Sequence, residues 1–286
     1  MNFKIIAAAA ALAVSGAAHA TMDTMASGNS SVGFLSYNNT SKDSVFVDLG
    51  VNLSDFVVAS YETLNGPGTM TQGALSKNNV TAVWNFATNT YTLNGVVQNI
   101  GSVDWSGYSS FLSGLAANGQ TSANWGVIAG DSTLSNDDGA QHFLTTGTPT
   151  AAQLNLETAG QSAKLASVET LYTRQNTTTE QSSVDNGSYY TGDSTAIASV
   201  LRTDNFYLNW RNNLKWPSTT VDSVNSFWFV IGDGSEYQID GTWTLDVATQ
   251  TLTWQTPTVA VPEAETYAMA LAGLVALGLV RRRIAK

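Results

Sequence analysis

The chain has no cysteine. Thiol nucleophiles, cysteine–zinc sites and disulfide staples are all excluded, so stability must come from the core or from bound ions. Histidine is nearly absent. Of the two in the chain, His19 falls in the leader described below, which leaves His142. One histidine permits a Ser-His-Asp arrangement arithmetically, but no G-x-S-x-G elbow accompanies it. His142 lies in "AQHFLT", which reads as a strand, and a satisfied or half-exposed strand position is its expected place. Charge is sparse and one-sided: charged residues make up 12% of the chain, and the net charge is −10. Five of the twelve cations, Lys4, Arg281, Arg282, Arg283 and Lys286, sit at the two ends. The body between them has no basic patch with which to follow a phosphate backbone, which excludes nucleic acid as a partner.

What is present begins with a leader. "MNFKIIAAAAALAVSGAAHA" has a cation at Lys4, an apolar run from Ile5 to Val14, and Ala18-His19-Ala20. Basic region, short apolar region and A-x-A site together make a secretory signal peptide, cut after Ala20 by signal peptidase. The apolar region is too short to span a bilayer. The expected organisation is a signal peptide over 1–20, one β-rich extracellular domain over 21–256, and a linker with a tail over 257–286.

The body reads as strands. "GFLSY" (33–37) and "SVFVDLGV" (44–51) are apolar and β-branched, with the polar "NNTSKD" between them. "NVTAVWNFATNTYTLNG" (79–95) and "GTWTLDVATQTLTWQT" (241–256) each alternate apolar and polar residues, turn at "ATN" or "ATQ", and return. Such period-two alternation predicts half-buried antiparallel strands. The two hairpins share a pattern, Ala87-Thr88-Asn89-Thr90 against Ala248-Thr249-Gln250-Thr251. Nothing around them aligns, so a recurring hairpin solution is the expectation rather than an internal repeat. Further strands are expected at 124–129, 140–145, 205–210 and 226–231. Tyr108, Phe111, Leu112 and Leu115 in "WSGYSSFLSGLA" form one apolar helical stripe. A longer helix is expected within 150–174, behind Pro149 and weakened near Gly160. The fold class is mainly β: an antiparallel sandwich, jelly-roll-like, with one or two packed helices and a C-terminal transmembrane helix.

Two constellations invite a ligand. "GDSTLSNDDG" (130–139) gathers Asp131, Asn136, Asp137 and Asp138, hard oxygen ligands suited to calcium, the one cofactor considered. The spacing does not match an EF-hand loop, and these residue types also simply build tight turns. Eight tryptophans in a polar, acidic chain suggest sugar stacking, with Trp105, Trp125, Trp210 and Trp216 as the candidates. Trp84, Trp228, Trp243 and Trp254 lie on strong strands and are expected in the core. No pair of carboxylates is placed by position for glycoside hydrolysis. The expectation is a protein that is not an enzyme.

The tail is the most specific feature. Val261, Pro262, Glu263 and Ala264 precede the apolar run "YAMALAGLVALGLV" (267–280) and the cluster Arg281, Arg282 and Arg283. Fourteen helical residues reach about 21 Å, against roughly 30 Å of hydrocarbon. Arginines that snorkel on one side and Tyr267 on the other make the span marginal. This order resembles the PEP-CTERM sorting signal, with Ala264 where that signal has its second proline. The resemblance implies handling by an exosortase, passing tethering to the inner membrane, and release to the cell surface or extracellular matrix of a Gram-negative bacterium that makes exopolysaccharide and biofilm. A structural role there is the expectation. The alternative is a carbohydrate-binding or polysaccharide-active module using exposed tryptophans and acids.

Overall fold

The alternation in "TAVWN" and "TYTL" becomes a regular hairpin in the computed structural model, which describes residues 22–38, 40–41, 43–57, 72–100, 105–120, 122–132, 142–147, 187–190, 215–217, 224–231 and 236–258. Ala82 and Trp84 of β3 (Thr81–Asn85) point inward with Tyr91 and Leu93 of β4 (Thr90–Leu93), and the residues between them face outward. β5 (Val96–Gln98) continues the meander through Asn94-Gly95. Both turn residues have positive φ, 50° and 79°, the mark of a type I′ turn that only such a pair adopts cheaply. β11 (Glu236–Asp246) and β12 (Thr251–Gln255) make the matching hairpin, with Trp243, Leu245, Leu252 and Trp254 inward.

The remaining strands are β1 (Ser31–Tyr37), β2 (Ser44–Asn52), β6 (Ser122–Asp131), β7 (His142–Gly147), β8 (Gly187–Tyr190), β9 (Lys215–Pro217) and β10 (Asn225–Ile231). All twelve join one antiparallel sheet in the order β5-β4-β3-β12-β11-β10-β7-β6-β1-β2-β8, with β9 also on β6. The expected sandwich is therefore realised by a single sheet bent over on itself. β1 lies six strands from β3 along this path, about 29 Å if the sheet were flat. Yet the rings of Phe34 on β1 and Phe86, just after β3, are 5.1 Å apart. The indole of Trp84 on β3 donates to the Leu49 carbonyl of β2 at 2.8 Å.

Aromatic rings fill the space between the two leaves. Phe56, in the one-turn helix α1 (Leu53–Phe56), meets Phe227, Trp243 and Trp254 at 5.1 to 5.9 Å. Phe34, Phe86, Tyr108 and Trp105 form a second group beside it. Trp228, expected in the core, is instead half-buried. It alternates with inward Phe227 and Phe229, and its indole donates to the Gly147 carbonyl at 3.3 Å. β6 is covered on both faces, which explains its unbroken apolar run. Met25, in a 3₁₀ turn at Met25–Ser27, packs over Gly130, and Ser132 N–H donates to its carbonyl at 3.0 Å.

The amphipathic stripe forms α2 (Ser106–Ala117), with Tyr108, Phe111 and Leu115 buried and Leu112 partly so. The helix packs against β2 and β8. Asn118 at its end donates to the Asp43 carboxylate at 2.9 Å, which ties it to the β1–β2 connection. The strand expected at 205–210, the helix within 150–174 and the transmembrane helix over 267–280 lie outside the described residues. Among those described, no helix is long and apolar enough to cross a membrane.

Candidate functional site

The aromatic candidates divide. Trp105 and Trp125, expected as exposed stacking platforms, are fully buried, which corrects that expectation. Trp105 caps the start of α2 and sends its indole N–H inward to the Asp48 carbonyl at 2.7 Å, with Phe86 edge-on to the ring. A buried donor left unmade costs about 1–3 kcal/mol, so this bond holds the ring inside. Trp125 lies on β6, whose two faces are both covered, with Phe34 at 6.3 Å. Trp216 is placed on β9, and Trp210 lies outside the described residues.

The acidic loop is reached only at its first residue. Asp131 ends β6, is buried, and stands directly across from His142, the first residue of β7 and also buried. The His142 ring packs on Phe229 at 5.3 Å. The strand position expected for His142 is thus found. Asn136, Asp137 and Asp138 lie outside the described residues. Among the described residues, no group of three or more histidines and acids is placed to hold a metal.

Buried carboxylates elsewhere are tied to backbone and hydroxyl donors. Asp48 accepts Gly50 N–H at 2.7 Å and Ser31 Oγ at 3.2 Å. Asp55, half-buried on α1, accepts Asn52 N–H at 2.8 Å. Burial pushes its carboxyl above the ordinary aspartate range, and the Asn52 N–H opposes that shift. Burial and the nearby Asp55 charge together hold the Tyr91 phenol above the ordinary tyrosine range.

Where the body ends, the chain is fixed. Thr256 Oγ1 donates to the Lys77 carbonyl at 2.7 Å and accepts Val80 N–H at 2.9 Å. Thr256 N–H donates to the Val80 carbonyl, and Asn79 N–H to the Pro257 carbonyl, both at 3.0 Å. Sequence patterning does not reveal this clamp, because a threonine beyond the last alternating residue looks like a linker. Thr258 is the last described residue, three positions before Val261 of the motif. Val261, Pro262, Glu263, Ala264, Arg281, Arg282 and Arg283 all lie outside the described residues.

A profile of the PEP-CTERM protein-sorting motif matches residues 260–284. No curated protein and no solved structure matches the chain. The matched stretch begins three residues after the clamped Pro257 and contains the Pro262-Glu263 pair, the apolar run and the arginine cluster. The chain therefore carries a PEP-CTERM protein-sorting motif and is, by that motif, an exported protein addressed to an exosortase.

Proposed function

We propose that the body is a non-catalytic structural component of the cell surface or extracellular matrix of a Gram-negative bacterium, delivered there by its tail. Signal peptidase removes the leader, and the tail holds the chain in the inner membrane until an exosortase cuts near Pro262-Glu263-Ala264. The body is then released to associate with exopolysaccharide in the biofilm matrix. The reading assigns it no resident cofactor. The observation that carries it is the sorting motif, which follows directly on a clamped β body. Intact-mass measurement of the secreted protein tests it. The expected mass lacks both the leader and the residues after the motif, and a mature protein still ending at Lys286 sinks the sorting step. Deletion of the protein is expected to weaken flocculation, and unchanged flocculation counts against the matrix role.

A further inference from the structure

The end of the sheet from which the tail leaves carries two of the three large apolar side chains exposed among the described residues. Gln255 at the foot of β12 pairs with Thr81 of β3, and Ala82 with Leu93 of β4, which in turn faces Val96 of β5. Asn94 N–H closes on the Thr81 carbonyl at 2.7 Å, so the Asn94-Gly95 turn sits at the same end as Asn79 and Pro257. From β12 to β5 is three strand spacings, about 14 Å. β5 is an edge strand, and both its valines are open to solvent, Val96 at 55% and Val97 at 68% exposed. Adjacent strand residues point to opposite faces, so the edge presents apolar groups on both sides.

Charge sharpens the contrast. The chain holds 22 Asp and Glu, yet residues 72–100 and 251–258 contain none. Their one charged side chain is the exposed Lys77. Among the described residues, the nearest acids are half-buried Asp55, whose charge reaches Tyr91 of β4, and Asp240 and Asp246 on β11. Beyond Thr258, eight residues separate the body from Tyr267, where the apolar run begins. Fully extended, they span at most about 29 Å. While the tail is in a bilayer, this rim therefore stays within a short tether of the lipid surface.

We propose that the rim formed by Val96, Val97 and Lys77 rests on the membrane that holds the tail, with the valines in the headgroup–acyl boundary and the lysine on anionic headgroups. An otherwise acidic body would be repelled by such a surface, and the strands β3, β4, β5 and β12 carry no acid of their own. The contact would orient the body and hold residues 258–264 near the bilayer, where a membrane enzyme cuts. The proposal rests on the membrane-tethered reading above.

The absence of cysteine makes the test direct. Val97→Cys and, at the far end of the same three-stranded meander, Ala87→Cys each introduce the chain's sole thiol, and both positions are exposed. Each full-length chain is labelled with an environment-sensitive fluorophore. It is then reconstituted into vesicles of phosphatidylethanolamine with a minority of phosphatidylglycerol and a nitroxide-tagged lipid. The expected result is blue-shifted, lipid-quenched emission at position 97 and water-like, unquenched emission at position 87. Water-like emission at both positions, in a chain that floats with the vesicles, overturns the rim contact and leaves the tail reading standing. A blue shift at position 97 that is already present without vesicles also overturns it. A chain that does not float with the vesicles overturns both.

Discussion

Asn89 and Gln250 hold the same place in two different hairpins, and each reaches out to fix the helix α2. Both are left-handed, with φ of 53° and 52°. Asn89 Oδ1 accepts Trp105 N–H at 3.1 Å, and Gln250 Oε1 accepts Ser109 Oγ at 2.8 Å. The turns lie side by side, with Phe86 N–H donating to the Gln250 carbonyl at 2.9 Å. The shared "AT(N/Q)T" pattern is thus one turn used twice. In each copy an Asn85 or Asp246 side chain accepts the N–H three residues on, at 2.9 and 3.2 Å.

Gln250 is the weaker half of this pair, because a non-glycine residue in the left-handed region costs roughly 1–2 kcal/mol. Gln250→Ala loses the bond to Ser109 and keeps the strain. Gln250→Gly loses the bond and relieves the strain. The glycine variant is expected to be the more stable by about 1 kcal/mol in urea unfolding. Equal midpoints would mean that the turn is not strained.

Gly241 is irreplaceable for a different reason. It sits where the register of β10 and β11 shifts, at φ 151°, with Trp254 lying over it. A Cβ there would collide with the Trp254 ring, and the ring cannot retreat from Trp243 and Phe56. Gly241→Ala is expected to cost about 1–3 kcal/mol, as overpacking does, and to perturb the near-ultraviolet signal of the tryptophan cluster. An unmoved midpoint would contradict the packing described.

Asp55 gives a pH signature of defined sign. A carboxyl whose folded pKa is raised contributes stability below its unfolded value and loses it as pH rises through the folded value. At neutral pH the charged Asp55 is therefore a liability. Asp55→Asn can still accept Asn52 N–H, and it does not titrate. The variant is expected to melt above the parent at neutral pH, with the gap closing below the ordinary aspartate range. A gap independent of pH would assign the effect to something other than ionisation.

The clamp at Thr256 predicts a local change. Thr256→Val keeps the shape but strands Val80 N–H and the Lys77 carbonyl. The expected cost is about 2 kcal/mol, with faster hydrogen exchange confined to residues 79–81. Uniform acceleration across the sheet would show that the clamp is not a separate unit.

Trp105 separates packing from recognition. Trp105→Phe keeps the ring contact with Phe86 and loses the bond to the Asp48 carbonyl. About 1–3 kcal/mol of stability should go, while retention on a polysaccharide column stays unchanged. Lost retention without lost stability would restore Trp105 as a surface platform.

Much of the fold could be read because burial writes itself as a period of two. Trp84, Trp243, Leu252 and Trp254 fell on inward positions of alternating strands and lie inward. A period of two disappears where both faces of a strand are covered. Trp125 sits in an unbroken apolar run on β6, and periodicity cannot say that Met25 closes its second face. Trp105 lies ahead of a helix, where no alternation exists, and its inward turn is decided by a carbonyl far away in sequence. β5 leaves no alternation to read although Asn94-Gly95 announces a hairpin, because the strand after the turn has only three residues. The bending of one sheet into two leaves depends on pairings such as Thr81 with Gln255, which local pattern does not encode. The tail needed no fold to be recognised, since its signal lies in the order of its parts.

The position of β12 has a consequence for how the molecule is made. Among the described strands, the last, β12, lies between β3 and β11 and alone joins the early meander β3-β4-β5 to the others. Its pairing with β3 closes a loop of more than 150 residues, the kind of distant contact that forms late and slowly. A chain threaded through a membrane from its N-terminus delivers this strand last, immediately ahead of the sorting motif. Completion of the sheet and arrival of the tail at the bilayer are thus nearly the same event, so the body offered for cutting has only just become able to close.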